Sequence, residues 1–282
     1  MHNVNQRGIA VGFFDGVHLG HRKILEGARK ALTFRNHPLS LLAPERAPRL
    51  IMTFDERMAA IRECGVEEVV ALEFTRELSQ MSAAEFARRY LDASRIRCGA
   101  NWRFGRGGEG CAETLRAFGY DVDVAPFVEY KGLRISSTRI REAIEAGDME
   151  SARMMLSRAW KMRGRVMPGK GVGRTIGWPT INIEPQDGSL HPVKGVYAVR
   201  ALGKEGIANF GIAPTMREKS WHRPVLEVHL FEEPGAVPEM LEVEMFDFIR
   251  EEREFSGAGE LQGQIVHDCE VARRVLRKYA KL

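Results

Sequence analysis

Residues 8–21 read Gly8-Ile9-Ala10-Val11-Gly12-Phe13-Phe14-Asp15-Gly16-Val17-His18-Leu19-Gly20-His21. The first seven are a continuous apolar run with glycines, bounded by Asp15-Gly16. That is the pattern of a buried strand ending in a turn, the usual opening of a parallel sheet. A short helical pattern follows from His21 to about Lys30. A strand that passes through a glycine-bearing turn into a helix start is a natural phosphate site. Unpaired backbone N–H groups and the helix dipole both favour an anion there. His18 and His21 sit three apart around Gly20, close enough to grip one oxyanion together, and Gly20 leaves room for a nucleotide against the backbone. On these residues alone, two capping or surface histidines beside a tight turn remain the alternative.

Outward from this stretch, strands and helices alternate. Leu32–Phe34 begins a second strand, interrupted at His37-Pro38; residues 55–64 start with an Asp cap and carry Met58, Ala59, Ile61 and Arg62 at helical spacing. Val69–Leu72 is a further strand, Ser82 and Glu85 form a capping box that starts a helix over 82–93, and Val122–Val124 is strand again. A helix over 138–157 closes this half. The alternation predicts an α/β domain with a parallel sheet. After residue 160 the pattern becomes short alternating runs at Arg163–Met167, Gly195–Ala201, Ile207–Ile212, Val225–Phe231 and Leu241–Phe248, separated by Gly, Pro and Asp turns. These predict a small β-barrel or sandwich. A helix from Gly259 onward presents Leu261, Ile265, Cys269, Ala272, Leu276 and Tyr279 as one stripe. The expected domains are 1–157 and 158–282.

Two further stretches carry chemistry. Ile135-Ser136-Ser137-Thr138-Arg139-Ile140-Arg141 opens a helix, so its hydroxyls can cap N–H groups or bind phosphate oxygens, and Arg141 adds a forked cation. An ordinary N-cap with a solvated Arg is the plainer alternative. Residues 164–182, GRVMPGKGVGRTIGWPTIN, form a glycine-rich basic loop through Gly169, Lys170 and Gly173, ending in Trp178-Pro179-Thr180-Ile181-Asn182. Farther on, Leu226-Glu227-Val228-His229-Leu230 alternates, which places Glu227 and His229 on one strand face. A lone strand carboxylate is more often simply solvated. Two formal matches are set aside. Gly105-x-Gly107-x-x-Gly110 lies too deep in the domain for a dinucleotide fingerprint, and Gly164-x4-Gly169-Lys170 has Gly171 where a P-loop needs Ser or Thr.

Taken in order, His18-x-Gly20-His21 and Ile135-Ser136-Ser137-Thr138-x-x-Arg141 resemble the nucleotidylyltransferase superfamily, and Pro179-Thr180-x-Asn182 with Asn209-Phe210-Gly211 and Glu227 resembles riboflavin kinases. Over nearly its whole length the chain resembles the bifunctional bacterial riboflavin kinase/FAD synthetases. The resemblance implies a nucleotidylyltransferase Rossmann-like parallel sheet and a closed β-barrel with a terminal helix. It also implies phosphorylation of riboflavin to FMN by the C-terminal module and adenylylation of FMN to FAD by the N-terminal one, with ATP and Mg²⁺. Carried over by position, Gly12, Phe13, Asp15, His18, Gly20, His21, Ser136, Ser137, Thr138 and Arg141 would meet the nucleotide, and Asn101 nucleotide or flavin. Gly169, Lys170, Gly173, Thr180 and Asn182 would hold Mg-ATP, with Thr180 on the metal and Glu227 as base. The sequence departs from the family in a segment about ten residues shorter between His21 and Leu32, in Phe13, Trp102 and Ile181, and in the turn Glu232-Glu233-Pro234-Gly235.

Composition narrows the alternatives. Forty-two Lys and Arg against 38 Asp and Glu give +4, which suits an anionic ligand but is too mild to argue for nucleic acid. No run approaches the roughly 18 apolar residues of a membrane span, and no signal peptide is expected. Cys64, Cys98, Cys111 and Cys269 are widely spaced, which suggests neither a zinc knuckle nor a disulfide framework. A cytoplasmic monomer or weak homo-oligomer is expected, without membrane or nucleic-acid partners. The rival readings are a kinase with an impaired transferase module, a different adenylyl- or cytidylyltransferase, which leaves the β-rich half unexplained, and a non-catalytic flavin- or RNA-binding regulator.

Overall fold

In the computed structural model, which describes residues 8–93, 95–169, 177–214 and 222–279, the opening apolar run forms strand β1 (Ile9–Val11), all of it buried. Ile9 and Val11 join one core with Leu32, Phe86, Ile96 and Leu115, while Ala10 joins another with Phe14, Leu25, Met58 and Ile61. A sheet covered on both faces needs apolar residues at successive positions, hence the unbroken run. The chain continues through α1 (Leu19–Leu25), β2 (Lys30–Phe34), α2 (Pro38–Leu42), α3 (Phe54–Glu63), β3 (Glu68–Leu72), α4 (Arg76–Gln80) and α5 (Ala83–Tyr90). Then come β4 (Arg95–Gly99), α6 (Ala112–Ala117), β5 (Asp121–Ala125) and a small hairpin, β6 (Glu129–Tyr130) with β7 (Leu133–Arg134). Strands β3-β2-β1-β4-β5 lie side by side, all parallel. Strand order reverses between β1 and β4, so a ligand crevice is expected outside their carboxyl ends.

Several local expectations change. Helix α3 is capped by Thr53, not Asp55: the Thr53 hydroxyl accepts the Glu56 N–H (3.3 Å) and the Glu56 carboxylate accepts the Thr53 N–H (2.7 Å). Its inward face carries Arg57, Met58, Ala60 and Ile61, and Ala59 points to solvent. Strand β4 is not apparent in the sequence because Arg95 and Arg97 interrupt its apolar residues. Both guanidinium groups pair with Asp123 on β5, at 3.5 and 3.2 Å, so the charges form a cross-strand ladder.

The chain divides into two compact units, Met1–Ser137 and Thr138–Leu282. The helix expected over 138–157 is two helices, α7 (Ser137–Glu145) and α8 (Met149–Leu156). Gly147 breaks it with φ +78°, and the Asp148 carboxylate caps α8 by accepting the Ser151 N–H at 3.0 Å. A side chain at Gly147 would meet Val193 at 2.8 Å, so space as well as backbone angle requires glycine.

The second unit holds β8 (Trp160–Met167), β9 (Ile181–Pro185), β10 (Gly195–Ala201), β11 (Lys204–Pro214), β12 (His222–Leu230), β13 (Met240–Arg250) and α9 (Ala258–Lys278). The strands close into an antiparallel barrel in the order β10-β11-β12-β9-β8-β13. Cys269, Ala272 and Leu276 of α9 pack against Val196, Ala198, Ile207 and Phe246 on the barrel's outside. Arg250, at the end of β13, grips the buried Asp268 carboxylate with Nε (3.0 Å) and Nη2 (2.8 Å), and Gln264 donates to the same group at 2.6 Å. That pairing compensates a charge that would otherwise be costly to bury. Cys98 and Cys269 are buried, Cys64 and Cys111 half-buried, and all four are free thiols.

Candidate functional site

The turn after β1 is built under backbone strain. Phe14 (φ +60°) and Val17 (φ +39°) adopt left-handed conformations that side chains disfavour, and both are fully buried, so packing holds them there. The Phe14 ring fills the space above Gly12, where an added Cβ would meet it at 2.9 Å. Beneath the turn lies Arg57, a residue that sequence reasoning missed. It is buried and donates to the carbonyls of Phe13 (2.9 Å), Phe34 (2.7 Å) and Arg35 (3.0 Å), with its guanidinium 4.0 Å from the Phe13 ring centre. Burial pushes its pKa down to about 10, with Asp15 opposing the shift. The signal available in the sequence was an arginine breaking the apolar face of a helix. Asp15, expected to meet the nucleotide, is itself buried, and its carboxylate accepts the Ile51 N–H at 3.1 Å. In this structure it braces the turn from inside.

His18 and His21 show the capping reading of the motif. His18 is the N-cap of α1, with its Nδ1 accepting the His21 N–H at 3.2 Å, and the two imidazoles stack with centres 3.6 Å apart. A side chain at Gly20 would press on the His18 ring at 3.1 Å. The His21 Nδ1 is enclosed without a hydrogen-bond partner among the described residues. Burial holds the His21 pKa well below 6.5, and the positive neighbours His18, Arg57 and Arg134 hold it lower still. An enclosed ring nitrogen among cationic groups is an arrangement that an anion would complete.

This environment has a pH consequence. An unfolded histidine takes up its proton near 6.5, whereas folded His21 resists protonation, so the unfolded state binds more protons as pH falls. The stability that depends on neutral His21 is therefore complete above about pH 6.5 and is lost below it. Urea unfolding should show a midpoint that drops from about pH 7.5 to about pH 5.5, with a smaller drop in His21→Gln. Equal drops in the two proteins would remove His21 as the cause.

The second motif reaches the first. The Ser137 hydroxyl donates to the Asp15 carbonyl at 2.9 Å, across 122 positions of sequence. Ser136 is half-buried and Thr138 exposed, and Arg141 follows along the α7 helix that Ser137 opens. At the carboxyl end of β4, Asn101 is exposed, and Trp102 stacks on Phe104 with ring centres 4.6 Å apart. The turn after β1 and the loop after β4 thus flank the place where strand order reverses.

On the barrel, Leu226 and Val228 are buried while Glu227 is exposed and His229 half-buried, as alternation requires. Glu227 stands opposite Asn182 of β9 on one side and Asn209 of β11 on the other, which makes a polar row across three strands. Thr180 is exposed just before β9. His229 Nδ1 lies 2.9 Å from the Pro179 carbonyl, and Trp178 meets the imidazole edge-on. A side chain at Gly169 would run into the Asn182 amide. Lys170 and Gly173 lie outside the described residues. The Asn209 amide donates to Glu252 at 3.0 Å, and sequence reasoning gave Glu252 no role. No group of three His, Cys, Asp or Glu among the described residues could cage a metal ion. The neutral oxygens of Thr180 and Asn182 instead suit Mg²⁺, which keeps several waters and binds largely through substrate phosphates.

Comparison with known proteins finds two family models along the chain. A family model described as FAD synthetase matches residues 2–139, and one described as riboflavin kinase matches residues 156–276. The bifunctional riboflavin kinase/FMN adenylyltransferase of Escherichia coli K12 is 33% identical over 97% of this chain and 95% of its own length. The Bacillus subtilis protein of the same description is 31% identical over 97% of this chain and 93% of its own. A Streptococcus pneumoniae crystal structure described as a macrolide-efflux protein is 30% identical, with a TM-score of 0.85 over 96% of this chain and 95% of that one. Among the described residues of the present chain, no helix is long and apolar enough to cross a membrane.

Proposed function

The chain belongs to the bifunctional riboflavin kinase/FMN adenylyltransferase family, and from that premise we propose which residues perform each half of its chemistry. The C-terminal part phosphorylates riboflavin to FMN with ATP, and the N-terminal part adenylylates FMN to FAD with release of pyrophosphate. The observation that carries the assignment is that each half presents its own reactive arrangement. One is the enclosed His21 nitrogen in a strained turn; the other is the row Asn182–Glu227–Asn209.

In the transferase no side chain acts as a covalent nucleophile, because the FMN phosphate can attack the ATP α-phosphate in line. The protein then positions the reactants and neutralises charge. His18, His21 and Arg141 meet the phosphates, with Ser136, Ser137 and Thr138 adding hydroxyls and backbone N–H groups at the start of α7. Gly12, Phe13 and Gly20 bind the nucleotide from the turn, Asp15 and Arg57 hold the turn in shape, and Asn101 faces nucleotide or flavin.

In the kinase, Glu227 takes the proton from the terminal ribityl hydroxyl as general base. Thr180 and Asn182 would hold Mg-ATP, with Thr180 on the metal, and Gly169, Lys170 and Gly173 would bind the nucleotide. When bound, Mg²⁺ supplies neutralisation of phosphate charge. The close approach of the Asn182 amide to Gly169 supports this assignment. We place the functional boundary at Ser157, between the end of α8 and the first barrel strand. The protein acts in the cytoplasm as a monomer or weak homo-oligomer.

Incubation with riboflavin, ATP and Mg²⁺, with flavins separated over time, tests the whole reading. FMN should rise and then give way to FAD. FMN that accumulates without FAD would restrict the activity to the kinase and implicate the short α1. No flavin product would overturn the reading in favour of another nucleotidylyltransferase.

A further inference from the structure

We propose that Glu252 is a positioning residue of the kinase reaction, acting by holding the Asn209 side chain beside Glu227. The inference rests on the reading of Glu227 as general base. Glu252 lies two residues beyond β13 and reaches across to β11, where its Oε1 accepts the Asn209 Nδ2–H at 3.0 Å. Asn209 is in turn the direct cross-strand partner of Glu227. Asn209 thus carries a bond to a carboxylate from outside the three-stranded row while standing in register with the carboxylate at the row's centre.

Two features indicate that the contact is built into the fold. Gly211, two residues along β11 on the same face as Asn209, lies against the Glu252 carboxylate, which a Cβ there would displace. The chain that delivers Glu252 is also anchored: Arg250 is bound to Asp268 of α9 and donates to the Glu251 carbonyl at 2.9 Å. An asparagine amide has a donor end and an acceptor end, and a charged acceptor selects the donor. The bond from Nδ2 to Glu252 favours one orientation of the Asn209 amide in the row. Acting through Asn209, Glu252 should when lost slow the chemical step and leave substrate affinity nearly intact.

The test uses the full-length protein and measures riboflavin phosphorylation, with adenylylation of supplied FMN as the folding control. Glu252→Ala should lower kcat about tenfold, the cost of one hydrogen bond to a charged group, with both KM values within about twofold. Glu252→Gln keeps an acceptor and should recover most of the rate. Asn209→Ala should be at least as slow, and Asn209→Ala/Glu252→Ala no slower than Asn209→Ala alone. Gly211→Ala, which displaces the carboxylate without removing it, should lose a similar factor. Unchanged kcat in Glu252→Ala, a change confined to KM, or additive losses in the double variant would overturn the inference. Glu227→Gln serves as a separate control. If it still phosphorylates riboflavin, the general-base reading fails and this inference with it. If it is inactive while Glu252→Ala is unaffected, this inference alone fails.

Discussion

Glu227→Ala is expected to abolish FMN formation from riboflavin, with kcat falling by about 10³-fold, while FAD formation from supplied FMN stays within about twofold of wild type. The size follows from the role: a primary hydroxyl is a poor nucleophile until a base takes its proton, and Glu227 is the carboxylate at the centre of the polar row. The selectivity follows from the fold. Glu227 is an exposed side chain on β12, and its removal leaves the inward Leu226 and Val228 untouched, so the barrel should keep its stability. Replacement by Gln, which fills the same space without a base, should be nearly as inactive. A Glu227→Ala protein that still made FMN at wild-type rate would place the base elsewhere.

Arg141→Ala should do the reverse, lowering FAD formation from FMN and ATP by about 10²–10³-fold while riboflavin phosphorylation is preserved. An α-phosphate under attack gains negative charge, and the forked guanidinium can engage two oxygens at once. Arg141→Lys should recover only part of the rate, because a point charge cannot reproduce the paired geometry. Arg141 is half-buried along α7, whose inward face is formed by Ile140 and Ile144, so the helix should survive its loss. If either variant lost both activities while unfolding normally, the division of labour between the two halves would be wrong.

How much of this was legible depended on range. The strand before the turn, the N-cap at Ser82 and the barrel's alternating runs are local patterns, and they were recognisable along the chain. Strand β4 was not, because its arginines make sense only beside Asp123 on the next strand. The break at Gly147 was hidden for a related reason: the crowding that demands glycine comes from Val193, 46 positions away. Arg57 was missed because the carbonyls that give it meaning, those of Phe13, Phe34 and Arg35, lie far from it in sequence.

The motif residues His18, His21, Ser137, Asn182 and Glu227, their order and the two-part architecture were set by the sequence itself. Backbone preference and hydrophobic period act between near neighbours and can be read from one dimension. Only the tertiary structure decided that Ser137 would bond to Asp15, that Asn182 and Asn209 would flank Glu227, and that Glu252 would reach Asn209. Those relations arise when strand register and sheet order bring together segments tens of residues apart. A buried polar group must find its partner in space, and chain position does not record where that partner will be.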